Sequence, residues 1–264
     1  MPDAAAERRE DLARIRGALE LAADVIARFS PGTVAVREKD NGSPVTDADL
    51  AADEALRRAL PAGDEGWLSE ETPDDPARLA RRRVWVVDPL DGTREFLAGL
   101  REWCVSIALV EDRVAVAGGI YAPALGELYL GAPGVGATLD GEPLAISRSE
   151  TLAGTTALLG RWALSGRRSE AFAHAPFSVR PVGAAAYTLA LVAAGRGDAH
   201  WSRGGKAEWD VAAGVALVTA AGGRVTTWDG ATPSFNAWPP RIPGIVACAP
   251  ALQEPLRAWL SRLR

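Results

Sequence analysis

Two cysteines, two histidines, two lysines and one methionine among 264 residues set the first limits on what this chain can do. Cys104 and Cys248 stand alone in apolar surroundings, with no paired spacing that would suggest a zinc site or a disulfide framework. Buried, reduced thiols fit a cytoplasmic home. His174 and His200 are each remote from other candidate ligands, so neither a zinc centre nor a Ser-His-Asp arrangement finds support. Long apolar runs are missing as well. The longest, around Ala184 to Ala194, falls short of the roughly twenty residues that a membrane-spanning helix needs, so no membrane span is expected. The segment from Glu7 to Arg16 mixes acids and bases and lacks the apolar centre of a secretion signal. An excess of positive charge is also absent: the net charge is −5, against the basic stripe that a nucleic-acid polymer would require. Lys39 and Lys206 are the only lysines, and arginine supplies the remaining cations.

What is present is an ordinary globular composition, 48% apolar and 24% charged. A chain of this length suits one large domain or two tightly joined halves. The change of pattern near Ser147 favours two: an N-terminal α+β half over residues 1–146 and a C-terminal α/β half over 147–264. With no internal repeat, low-complexity tract or long linker, the halves are expected to share a rigid interface.

Leu12, Ile15, Leu19, Ala22 and Ile26 recur at helical spacing, and Phe29-Ser30-Pro31-Gly32 ends that helix. A polar loop follows. Thr46 is placed to cap a second helix that runs to about Leu60, with Asp47 and Asp49 in its first turn, where acidic residues suit the helix dipole. Cys104 to Val110, Val114 to Tyr121, Glu127 to Leu130 and Gly136 to Leu139 read as antiparallel strands. Further on, strands at Thr156 to Leu159, Ala199 to Trp201, Arg224 to Thr227 and Gly244 to Cys248 alternate with helices at Tyr187 to Ala194, Val211 to Ala221 and Ala251 to Arg262. Such alternation packs helices on both sides of a sheet.

The most informative stretch is Val84-Trp85-Val86-Val87 followed by Asp88-Pro89-Leu90-Asp91-Gly92-Thr93. The first four residues make a buried strand, and Pro89 and Gly92 turn the chain as it leaves the sheet. Asp88 and Asp91 therefore converge at a strand end, beside a glycine that permits close backbone approach. The N–H groups of a helix starting near Thr93 would favour a bound anion. Asp-Pro and Asp-Gly are also common turn dipeptides, and Asp or Thr often caps a helix. Two further acidic clusters reduce the weight of that structural explanation: Ser69-Glu70-Glu71 after Trp67-Leu68, and Glu208-Trp209-Asp210 opening an apolar helix.

Glu70, Asp88, Asp91 and Asp210 form an all-oxygen donor set suited to a hard cation such as Mg²⁺. Without cations, several like charges at one point would repel one another strongly. Two ions about 3.5–4 Å apart could bridge a phosphate, acidify a water and shield a leaving oxygen, which makes phosphoester cleavage the fitting reaction. Thr93 could orient the attacking water if Asp49 takes up its hydroxyl proton.

Glu70-Glu71, Asp88-Pro89-Leu90-Asp91-Gly92-Thr93 and Trp209-Asp210-Val211-Ala212-Ala213-Gly214, in this order, resemble the signatures of the inositol monophosphatase superfamily. The resemblance covers nearly the whole chain. It implies the layered α/β/α/β/α sandwich of the inositol monophosphatase and fructose-1,6-bisphosphatase type, an α+β fold. It implies two or three Mg²⁺ ions held by Glu70, Asp88, the Leu90 carbonyl, Asp91 and Asp210, and catalysis by Thr93, Asp49 and Glu70. Gly92, Thr93, Asp91 and Asp210 would meet a small phosphorylated substrate. Lithium inhibition and a homodimer belong to the same expectation.

Within that superfamily, Asp-Pro-Leu-Asp-Gly-Thr-Arg-Glu-Phe from Asp88, and Lys39-Asp40-Asn41-Gly42-Ser43-Pro44-Val45-Thr46, look like 3′(2′),5′-bisphosphate nucleotidases. These remove the 3′-phosphate of adenosine 3′,5′-bisphosphate, a by-product of sulfur metabolism. Gly183-Ala184-Ala185-Ala186-Tyr187 departs from the Gly-Ser and following polar or basic residues of many relatives. Tyr187 there could stack on a base or fill the core. Arg161, Arg203 and Lys206 are positional candidates for holding a second phosphate. The alternatives are a phosphatase of inositol or of a related polyol, histidinol or sugar phosphate, and a non-catalytic sensor of a phosphorylated ligand.

Overall fold

The structure, a computed structural model, describes residues 4–39, 42–164 and 172–262. Asp40 and Asn41, part of the nucleotidase-like segment, lie outside the described residues. The chain opens with α1 (Ala4–Ile26), which turns Ile15, Leu19, Ala22 and Ile26 inward on the spacing read from the sequence. A hairpin of β1 (Val36–Glu38) and β2 (Pro44–Thr46) leads into α2 (Asp47–Ala59). This hairpin replaces the expected polar loop. All three residues of β1 are exposed, so no alternation of apolar and polar side chains marks it.

A seven-stranded sheet follows in sequential order: β3 (Gly66–Ser69), β4 (Arg83–Asp91), β5 (Cys104–Glu111), β6 (Val114–Ala122), β7 (Glu127–Ala132), β8 (Gly136–Leu139) and β9 (Glu142–Pro143). Only β3 and β4 pair in parallel. The short α3 (Thr93–Leu97) leaves the end of β4. The second sheet has β11 (Ser178–Val182), β10 (Thr156–Gly160), β12 (Ala199–Ser202), β16 (Ile245–Cys248) and β14 (Arg224–Thr227) side by side. The helices of this part are α4 (Ala185–Ala193), α5 (Glu208–Ala220) and α6 (Gln253–Leu260), and β13 (Lys206–Ala207), just before α5, forms a minimal antiparallel pair with β15 (Arg241–Ile242).

The elements stack in five layers. α1 and α2 cover one face of the large sheet, where Ile15, Leu19 and Leu56 meet Trp85, Val87, Ile107 and Leu109. On its other face α4 and α5 lie between the two sheets, Leu189 and Val211 packing among Val84, Val86, Ala108, Leu158 and Ile245. α6 closes the outer face of the small sheet through Leu256 and Leu260, against Leu159, Trp201 and Val246. This is the α/β/α/β/α sandwich expected. A helix covered on both sides must be apolar all round, which is why α5 buries every residue from Val211 to Val218. Adjacent glycines of β6 admit helices from both faces. A Cβ on Gly118 would lie 2.6 Å from Ala213 O of α5, and one on Gly119 2.5 Å from Ile15 of α1.

Candidate active site

The carboxylates arrive on three elements from two layers. β4 ends in Asp88 and Asp91, β3 delivers Glu70 alongside through parallel pairing, and α5 enters from the middle layer with Asp210 in its first turn. One oxygen from each of Glu70, Asp88 and Asp210 lies within 4.8 Å of the others, although the sequence separates these residues widely. Asp88 is buried, and Glu70, Asp91 and Asp210 are half-buried. Asp88 Oδ1 accepts from the Leu90 amide at 3.1 Å, and Asp91 Oδ2 accepts from the Ala186 amide at 2.6 Å, at the start of α4. Asp210 Oδ2 accepts from Ala207 N at 3.3 Å.

Charge at this point is costly. Burial raises Asp88 well above the usual carboxylate range, and repulsion from Glu70, Asp91 and Asp210 adds to it. Burial, reinforced by Asp210, pushes Asp91 up to about 8, and burial pushes Asp210 up to about 6 against the pull of Lys206. Among the described residues, the cluster that could hold a metal contains no softer ligand. Cys104 is fully buried and its thiol is pushed far up by burial, while burial pulls His200 down to about 4 with its Nδ1 against Leu158 O. Crowded carboxylates without a thiolate or imidazole among them fit a hard divalent cation, whose charge would reverse these shifts.

Thr93 stands beside this group. Its hydroxyl lies 3.1 Å from Asp49 Oδ1 and 3.2 Å from Leu90 O, and its one hydrogen can serve only one of them. The other oxygen of Asp49 closes a capping box on α2, accepting from Thr46 N at 2.9 Å and Thr46 Oγ1 at 2.5 Å. Helix capping and contact with Thr93 therefore share a single carboxylate. Burial raises the pKa of Asp49 against the lowering effect of these hydrogen bonds. Gly92, in the left-handed region at φ 93°, makes the turn between β4 and α3, and a Cβ there would lie 3.2 Å from Trp103 Cα. α3 spans five residues, so its dipole adds less to an anion site than a longer helix would.

Two contacts were not legible in the sequence. Lys39 Nζ donates to Glu70 at 2.7 Å and to Glu71 at 2.6 Å. Burial pushes Glu71 up to about 7 although Lys39 opposes it. The scarcity of lysine was the one hint at this pairing. The Ala186 amide had no side-chain signal at all, because the backbone makes the contact.

The three proposed phosphate-binding cations differ in setting. Lys206 acts electrostatically on both Asp91 and Asp210. Arg161, at the end of β10, pairs with Glu102 and lies 3.7 Å from Glu95, and its buried Nε finds no hydrogen-bond acceptor among the described residues. Glu102 in turn accepts from Gly183 N at 3.1 Å, which places Arg161 beside the turn that carries Ala186. Arg203 lies over the Trp228 ring, 5.8 Å from its centroid. Tyr187 is a core residue, its hydroxyl donating to Glu127 at 2.8 Å. Among the described residues no helix is long and apolar enough to cross a membrane.

Residues 8–261 match a model of the inositol monophosphatase family. An inositol-1-monophosphatase from Mesorhizobium japonicum is 39% identical over 73% of this chain and 75% of its own. The 3′(2′),5′-bisphosphate nucleotidase CysQ of Salmonella typhimurium is 35% identical over 75% of this chain and 82% of its own. The crystal structure of extragenic suppressor protein suhB from Bartonella henselae superposes with a TM-score of 0.83 at 28% identity, covering 96% of this chain and 99% of the other.

Proposed function

Since the chain belongs to the inositol monophosphatase family, we propose that it is a Mg²⁺-dependent phosphomonoesterase that removes the 3′-phosphate of a nucleoside 3′,5′-bisphosphate, adenosine 3′,5′-bisphosphate being the reference substrate. Divalent ions held by Glu70, Asp88, the Leu90 carbonyl, Asp91 and Asp210 would neutralise these carboxylates and the phosphate and make a water acidic. A cation held by the Leu90 carbonyl would leave Asp49 as the acceptor of the Thr93 hydrogen, and the Thr93 oxygen would then be free to accept from the attacking water. A carboxylate whose pKa is raised by burial is better matched to receive that proton than an exposed one. The water oxygen forms the new bond to phosphorus, the bond from phosphorus to the 3′ oxygen breaks, and the leaving alkoxide takes a proton from solvent.

The placement of Arg161 beside the turn that holds Asp91 is the observation that carries the substrate choice. A guanidinium at that place, whose Nε–H makes no hydrogen bond among the described residues, suits a second phosphate on the substrate. The relative named a bisphosphate nucleotidase supports the same reading. Pairing of that guanidinium with Glu102 and Glu95 favours the second reading, a polyol monophosphatase, as does the relative named an inositol-1-monophosphatase. Comparing kcat/KM for adenosine 3′,5′-bisphosphate and inositol 1-phosphate tests the choice. A preference for the nucleotide that shrinks in Arg161→Ala is expected, and a clear preference for the polyol overturns it. A sensor without catalysis is disfavoured, because carboxylates crowded to this degree destabilise a fold that does not use them.

A further inference from the structure

Behind the carboxylates lies a second polar cluster, made by residues that play no part in the reaction above. Arg78 is 2% exposed and sits in a turn of 3-10 helix, Pro76–Ala80, shortly after Glu70 and Glu71. Its guanidinium forks onto Asp74 at 2.6 and 2.7 Å, and reaches Asn236 Oδ1 at 2.6 Å and Ala237 O at 2.9 Å. Asn236 Nδ2 returns a bond to Arg78 O at 3.2 Å. On the other side, Glu208 is fully buried in the first turn of α5, and its two oxygens accept from Asn236 N at 2.7 Å and Ala237 N at 2.8 Å. Asn236 holds φ 55°, a left-handed conformation that asparagine and glycine tolerate best.

This cluster connects two parts of the active site that no shared strand or helix links. Glu70 is anchored on its sheet side by the backbone bond to Val87 O, and beyond Glu71 only Thr72 and Pro73 separate it from Asp74. Asp210 follows Glu208 by two residues in the same helical turn. Arg78, Asn236 and Glu208 thus run in a continuous chain from the Glu70 segment to the Asp210 helix. A fully buried carboxylate tolerates so few alternative partners that the arrangement resists sliding.

We infer that Arg78, Asn236 and Glu208 act as a positioning clamp that fixes Asp210 relative to Glu70 and so sets how tightly the protein holds the divalent cation these two carboxylates share. The inference rests on the cation site assigned above. Groups that orient metal ligands from behind typically change metal affinity by about 10–100-fold when removed.

Asn236→Gly is the direct variant. It keeps the backbone conformation and both amides that Glu208 accepts from, and loses only the side-chain bonds to Arg78. Calorimetric titration of Mg²⁺ into the chelator-treated full chain, alongside Mg²⁺-dependence of phosphate-ester hydrolysis, provides the readout. Asn236→Gly is expected to bind Mg²⁺ about tenfold or more weakly, and to regain most of the wild-type kcat at saturating Mg²⁺. Asn236→Asp restores an acceptor for Arg78 and is expected to recover most of the affinity. Arg78→Lys keeps the charge without the fork and should weaken binding in the same direction. Trp259→Leu, on α6 where it packs against the distant core of the small sheet, controls for destabilisation alone and should leave Mg²⁺ affinity unchanged. Wild-type affinity in both Asn236→Gly and Arg78→Lys overturns the clamp, as does an equal loss in Trp259→Leu. No Mg²⁺ binding by the wild type would instead overturn the cation site itself.

Discussion

The Thr93 hydroxyl lies 3.1 Å from Asp49 Oδ1 across 44 residues of sequence, joining the turn after β4 to the first turn of α2. A proton relay at this contact affects turnover more than binding. Thr93→Ala and Asp49→Asn are each expected to lower kcat by about 10²–10⁴-fold, with KM changed little and Mg²⁺ still bound. Thr93→Ser should retain part of the rate, since it keeps the hydroxyl. Steady-state kinetics at saturating Mg²⁺ checks this, and a change confined to KM would place the pair in substrate binding instead.

Asp88 is the most crowded of the carboxylates, so its replacement separates activity from folding. In Asp88→Asn, hydrolysis is expected to collapse while the chelated protein melts at the wild-type temperature or above, because a carboxyl whose ionisation burial and its neighbours oppose has been replaced by a neutral amide. Circular dichroism melting and a phosphate-release assay give the two values. Wild-type hydrolysis would reject the site.

Stability of the chelated protein carries a pH signature of known sign. Asp91 is pushed up from 3.8 to about 8 and Asp210 from 3.8 to about 6, so between these values the folded chain holds protons that the unfolded chain has released. Their contribution is fully present below about pH 4 and is lost as pH rises through about 8. His200, pulled down from 6.5 to about 4, works in the opposite direction over its own window. The difference between chelated and Mg²⁺-loaded melting temperatures cancels that background. This difference should widen from pH 5 to pH 8 and be smaller in Asp91→Asn. A pH-independent difference would mean that cations do not compensate these charges.

Gly92→Ala tests the turn itself. The added Cβ must adopt φ 93° and lie 3.2 Å from Trp103 Cα and 3.3 Å from Ala184 Cβ, so a loss of about 1–3 kcal/mol is expected. Denaturant titration measures the loss, and an unchanged midpoint would show that the turn relaxes freely.

Lithium inhibition at millimolar concentration, measured against the Mg²⁺-only rate, is expected from the family resemblance. Full activity at those concentrations would overturn that expectation.

Much of this architecture could be read from side-chain patterns, for reasons visible at particular residues. The spacing of Ile15, Leu19, Ala22 and Ile26 marks α1 because one face of that helix is covered. The strands β5 to β8 were found within a few residues of their bounds because turn residues punctuate them. β1 escaped because it is exposed throughout, and β13 and β15 because two residues are too few for any period to show. α5 begins at Glu208, three residues before the expected Val211.

At the site, the meeting of Glu70, Asp88 and Asp210 was expected from motif order and is observed as a distance. The Ala186 amide on Asp91 and the Glu208 contacts to Asn236 and Ala237 were not expected. Each is made by a backbone N–H, a group that every residue except proline carries, so residue identity could not disclose it.

The most direct test is phosphate release from a phosphate ester by chelator-treated protein as Mg²⁺ is returned stepwise, with wild type and Asp88→Asn in parallel. Release should be absent without the cation, rise to saturation as Mg²⁺ is added to wild type, and stay absent in Asp88→Asn. Undiminished release in chelator, or equal release from both proteins, would contradict the claim that these buried carboxylates hold the cations used in hydrolysis.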